Sequence, residues 1–135
     1  MRLILASASP RRAGLLRAAG VPFEVSPVEV DERFLPGEEA EHTVARLADL
    51  KAAAAAGLHP GAFVLGADTT VVVEGEALGK PSDAADAERM LRLLSGRTHE
   101  VLTGVCLRAN GRRLVHVESS RVRVATLSQA EITWY

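Results

Sequence analysis

The sequence predicts an α/β fold, and three observations carry that expectation. A short apolar run passes directly into a helix marked at both ends, further helical stretches alternate with β-rich ones, and an Asn-Gly pair separates two long strand candidates.

Taken in order, Arg2 to Ala6 is the apolar run, short enough for a buried strand. Ser9 caps the helix that follows, Pro10 suits its first position, Leu15, Leu16, Ala18 and Ala19 supply an apolar face, and Gly20 closes it. Val21 to Val30 alternates irregularly around two prolines, as an extended segment at a sheet edge does. A polar loop from Glu32 to Glu39, containing Pro36 and Gly37, leads to a helix from about Glu41 to Ala56, in which Val44, Leu47, Ala48 and Ala52 keep the 3.6-residue period and which Gly57 ends. Phe63 to Leu65 and Thr70 to Val73 are β-rich, interrupted by Gly66-Ala67-Asp68, and a turn at Glu74-Gly75-Glu76 follows. Gly79-Lys80-Pro81 leads into a third helix, Asp83 to Leu94, with Ser82 as cap and Gly96 near its end. His99 to Arg108 and Leu114 to Ala125 flank Asn110-Gly111, the strongest short-range hairpin signal. Ser128, with Glu131 three residues later, forms a capping box for a last helix running to Trp134-Tyr135.

Composition narrows the function. A 135-residue chain fits one domain and needs no staples, and its 47% hydrophobic and 24% charged residues argue against disorder and a coiled coil. A net charge of −1 supplies no long-range field for a nucleic-acid backbone or an anionic membrane, so any anion must be bound locally. No apolar run reaches the roughly 20 residues of a membrane span, and the N-terminal run is too short for a signal peptide, which points to the cytoplasm. Cys106, the single cysteine, excludes an internal disulfide and reads as strand packing; the four histidines show no ligand spacing.

Three groups of residues could carry chemistry. Ser7-Ala8-Ser9-Pro10-Arg11-Arg12 is a strand-to-helix turn, where free amides and the helix dipole favour phosphate. Two arginines in a first helical turn oppose that dipole unless an anion sits there; the alternative is a plain Ser-Pro cap with solvated arginines. Asp68 falls in an apolar β region and needs a reason, either metal ligation or activation of water, or else a bulge or turn. Glu32 is a candidate second carboxylate for a magnesium or manganese ion, or a solvated loop residue. Lys51, beside a run of five alanines that would admit another backbone or a ligand, and Lys80, presented just before Pro81, gain meaning only if folding gathers them with Arg11, Arg12 and Asp68.

In register, these strings resemble the Maf family of nucleotide pyrophosphatases. The matching stretches are Ser7 to Arg12 with Leu15-Leu16, Asp31-Glu32, Arg46-Leu47-Ala48 with Lys51-Ala52, Gly66 to Thr69, Gly79-Lys80-Pro81, and Leu94 to His99 through Thr103-Gly104. The resemblance implies a Maf/ITPase-like fold: a mixed, elongated sheet with flanking helices and a cleft between two lobes, frequently as a homodimer. It implies hydrolysis of a nucleoside triphosphate between the α and β phosphates with a divalent metal cation, magnesium or manganese. Asp68 would be the proton acceptor, assisted by Lys51 and Lys80. Ser7, Ser9, Arg12, Glu32, Lys51 and Lys80 would line the phosphate and metal cleft, with Glu32 and Asp68 at the metal. Arg11 and Thr69 match positions associated with substrate choice. Pro10 followed by two arginines, and Ala67-Asp68-Thr69, look like the branch acting on dTTP and UTP rather than 7-methyl-GTP. Family members run further at the C-terminus, so the resemblance implies one domain over residues 1–135 that lacks a part carrying a glutamine linked to base recognition. The competing implication is a non-catalytic nucleotide-binding regulator of septum formation.

Overall fold

A computed structural model describes residues 2–134. Its elements are β1 (Leu3–Leu5), α1 (Pro10–Ala18), β2 (Glu24–Val25), α2 (Ala40–Leu58), β3 (Phe63–Val73), β4 (Glu76–Leu78), α3 (Ala84–Leu94), β5 (Thr98–Ala109), β6 (Arg112–Arg123) and α4 (Gln129–Trp134). The strands form a mixed sheet of order β2-β1-β3-β5-β6, with β4 paired to β3. β1 is parallel to both β2 and β3, so each connection must cross over, and α1 and α2 are those crossovers. The chain divides into two compact units, the first comprising the segment up to Thr69 with Thr103–Glu118, the second Thr70–Leu102 with the segment from Ser119.

The first unit is built on small residues. Ala48, Ala52 and Ala55 of α2 pack with Ile4, Ala6, Ala62, Val64 and Cys106 in one buried cluster. Two glycines make this close approach possible: a Cβ on Gly66 would lie 2.3 Å from the Ala48 carbonyl oxygen, and one on Gly104 would lie 2.3 Å from that of Val44. The helix backbone therefore sits directly on β3 and β5. In the second unit, β4 turns back on β3 through Glu74 and Gly75, both at positive φ, and a capping box at Ser128 and Glu131 starts α4. Tyr135, with which the sequence ends the last helix, lies outside the described residues.

Several boundaries differ from the sequence reading for local reasons. Gly66-Ala67-Asp68 does not interrupt β3, which runs unbroken for 11 residues, because Gly66 is there to admit α2 rather than to turn the chain. Gly57 does not end α2; the helix continues to Leu58 and His59 caps it. Asp83, not Ser82, caps α3, its carboxylate accepting from the Asp86 amide. β4 lies where only a turn was expected. The apolar stripe assigned to α1 is not buried either: Ala13 is its buried residue, and Leu15 is 66% exposed. The hairpin at Asn110-Gly111 forms as expected, with both residues at positive φ, and β2 lies at the sheet edge within the segment read as extended.

Candidate active site

The site in the first unit forms where β1 ends, α1 begins and β3 passes α2. Ser9 caps α1 by accepting the Arg12 amide at 3.3 Å, and the Ser7 hydroxyl accepts the Ser9 amide at 3.1 Å. No acidic residue occupies the first turn, so no side chain of that turn offsets the positive end of the helix. The Arg12 guanidinium, half-buried rather than solvated, spans from this turn to β3. It donates to Ser7 Oγ at 3.4 Å, to the Ala67 carbonyl at 3.2 Å and to Thr69 Oγ1 at 2.9 Å. Burial lowers its pKa, against the pull of the Asp68 and Glu32 charges, and its neighbour Arg11 pushes the same way as burial. Arg11 itself is exposed.

Asp68 sits within β3 and is buried. Side chains alternate along a strand, so Asp68 shares a face with Gly66, the face on which α2 lies. There Lys51 meets it, the ammonium donating to Asp68 Oδ1 at 3.1 Å and lying 2.8 Å from Glu32 Oε1. Helical spacing explains why a lysine reaches so deep: Lys51 falls between Leu47, Ala48 and Ala55 on the buried stripe of α2. Burial raises the Asp68 pKa above the ordinary aspartate range despite Lys51 and Arg12, with Glu32 adding to the rise. The carboxylate is thus a stronger proton acceptor than an exposed one, yet remains held by a cation.

The fold therefore gathers Ser7, Ser9, Arg12, Glu32, Lys51, Asp68 and Thr69 in one unit. Lys80 is exposed after β4 and belongs to the second unit. Thr103, which the sequence offers only within the matching Thr103-Gly104 pair and without a role, lies on β5 with its Oγ1 3.1 Å from that of Thr69, extending the chain of contacts that begins at Arg12. Its signal was a threonine beside a glycine within the apolar stretch from Val101 to Leu107, which by itself names no partner. Cys106 is buried strand packing, its thiol pKa raised by burial and by Asp49.

Comparison with known proteins gives a consistent picture. Residues 2–135 match the family model described as Maf-like protein. The chain is 54% identical over 134 residues to the dTTP/UTP pyrophosphatase of Symbiobacterium thermophilum, covering 99% of this chain and 69% of that protein. It is 52% identical over 135 residues to the dTTP/UTP pyrophosphatase of Koribacter versatilis, covering 100% and 70%. Among solved structures, the Ham1 protein of Staphylococcus aureus superposes with a TM-score of 0.62 at 17% identity, covering 90% of this chain and 70% of that one. The nucleoside-triphosphatase / dITP/XTP pyrophosphatase of Mycobacterium abscessus gives 0.56 at 18% identity, covering 94% and 76%. At such identities the structural likeness speaks for the fold alone.

Proposed function

The chain belongs to the Maf-like protein family, and from that premise we propose that it hydrolyses dTTP and UTP to the monophosphate and pyrophosphate, with Asp68 as the proton acceptor. The observation that carries this reading is the pairing of a buried, proton-hungry Asp68 with Lys51 and Glu32, next to an Arg12 anchored at a helix N-terminus.

Each part has a physical role. The α1 N-terminus, Ser7, Ser9 and Arg12 receive phosphate oxygens, the guanidinium offering a fork of donors and the helix end a fixed partial charge. Arg11, exposed beside it, adds charge at the entrance, and Thr69, which already holds Arg12, takes part in substrate selection. Lys51 supplies further charge to the polyphosphate, assisting Asp68. Asp68 orients a water and takes its proton as the water oxygen attacks phosphorus; its raised pKa brings it nearer the range in which a carboxylate works as a general base. Most of the rate enhancement is then charge stabilisation and positioning.

Glu32 and Asp68 also fit a divalent cation such as magnesium or manganese. Both present carboxylate oxygen within 3.1 Å of one ammonium, and ions of this type are commonly held by one or two carboxylates with substrate phosphate and water completing the shell. Among the described residues no group of three or more His, Cys, Asp or Glu forms a metal cluster, which leaves the other positions to phosphate and water. Bound there, the ion would offset phosphate charge and polarise phosphoryl oxygens.

Asp68→Asn tests the central assignment. It is nearly isosteric, so the thermal transition should stay close to that of the parent, while pyrophosphate release from dTTP and UTP should fall by at least about 100-fold. Near-normal turnover in a folded Asp68→Asn chain would remove Asp68 from the mechanism.

A further inference from the structure

Of the two adjacent carboxylates in Asp31-Glu32, the fold sends only one to Lys51. Asp31 is taken by its own neighbour: it accepts the Arg33 backbone amide at 3.1 Å and the Arg33 side chain through Nε at 2.9 Å and Nη2 at 2.6 Å. Its pKa is accordingly pulled down to about 2. Glu32 is left to face the ammonium on α2.

What keeps that segment in place is polar. Leu35 to Glu38 makes a tight turn, with the Glu38 amide on the Leu35 carbonyl at 3.1 Å, Pro36 at its second position and Gly37 at φ +74°. The large apolar residues of the segment contribute little anchoring, since Phe34 is 43% and Leu35 50% exposed. Arg46 of α2 instead grips both ends. Its Nη2 donates to the Arg33 carbonyl at 3.2 Å, and its Nε and Nη2 donate to the two oxygens of Glu38 at 2.8 and 2.9 Å. Thr43, buried in the first turn of α2, donates to Glu38 Oε1 at 2.8 Å. Glu38 and Arg46 are mostly shielded from water, and the forked geometry makes the pair directional as well as charged.

We infer that Arg46, acting through Glu38 and the Arg33 carbonyl, is a positioning residue for Glu32. One guanidinium ties the segment that carries Glu32 to the same helix that carries Lys51, so carboxylate and cation share a rigid base. The inference rests on the reading of Glu32 as part of the metal and phosphate site. A lysine at position 46 would keep the charge but could not reproduce the fork.

The experiment compares the parent chain with Arg46→Ala, Arg46→Lys and Glu38→Gln, using Glu32→Gln as the reference. Amide hydrogen exchange is measured without metal or nucleotide, and pyrophosphate release from dTTP is measured against manganese concentration. In Arg46→Ala and Arg46→Lys, exchange across residues 33–38 should rise on the order of 10-fold while α2 core amides keep their protection. Half-maximal activation should need on the order of 10-fold more manganese. Glu38→Gln, which keeps the shape of the side chain and loses its charge, should shift both readouts in the same direction by less, and it carries the test if Arg46→Ala does not fold. Parental exchange at 33–38 and a parental manganese requirement in Arg46→Lys and Glu38→Gln would overturn the inference. If Glu32→Gln alone left the manganese dependence unchanged, the reading of Glu32 would fall instead, and the exchange data would still show whether Arg46 holds the segment.

Discussion

Lys51 is the side chain on which both carboxylates of the site depend. It stands between Asp68 and Glu32 with little exposure of its own, and Asp68 is buried with Lys51 as its hydrogen-bond donor. Lys51→Met keeps the length of the stem and removes the charge. The buried carboxylate then loses its main compensation, so the variant should be less stable by about 1–3 kcal/mol in urea denaturation and should lose at least about 100-fold in turnover. Unchanged stability would mean that Asp68 is satisfied by something other than Lys51. At this scale the sequence was legible wherever a residue type is costly without a partner. An aspartate among apolar β residues, a lysine beside alanines and arginines at a helix start each demanded one. The residues alone left Glu32 between a metal ligand and a solvated loop residue and gave Thr103 no partner; what separates the readings is Lys51 for the one and Thr69 for the other, 19 and 34 positions away.

Between elements, the contact that sets the site is that of α2 on β3. Gly66 shares a strand face with Asp68, and its missing side chain lets Ala48 and Ala52 approach closely enough for Lys51 to reach the carboxylate. Gly66→Ala would place a methyl carbon against backbone atoms that have no flexible end to move, and overpacking of this kind costs about 1–3 kcal/mol. The variant should therefore lose stability and activity together, measured by thermal denaturation and pyrophosphate release. Gly57→Ala is the matched control, since it lies in α2 with open space around it and should leave stability equal or raise it by about 0.4–1 kcal/mol. A neutral Gly66→Ala would show that β3 and α2 can separate without consequence. The same glycine misled the reading of the strand, because sequence presents it as a break, whereas here it marks close backbone approach.

At the scale of the molecule, acid stability follows from the paired carboxylates. The Arg46 guanidinium and Thr43 hydroxyl hold the Glu38 pKa at about 2, below its ordinary value near 4.3. A depressed folded pKa means that the unfolded chain binds the proton first. The stabilisation is thus complete above about pH 4.3 and is lost as pH falls through about 2. Asp68, raised by burial, works in the opposite sense and offsets part of that slope. Thermal transitions recorded from pH 6 to 2 should fall less steeply for Glu38→Gln than for the parent, and identical slopes would show that the pair contributes nothing to folding. The sequence by itself determined the alternation of helices and strands, the Asn110-Gly111 hairpin, the caps at Ser9 and Ser128, and the family, because these depend on local periodicity, turn chemistry and motifs kept in order. Only the tertiary structure decided that Lys51 lies between Glu32 and Asp68, that Arg12 bonds to Ala67 and Thr69, and that Arg46 straps the segment bearing Glu32. Those contacts join residues far apart in the chain, and their existence depends on how closely two backbones pack, a distance that no local pattern encodes.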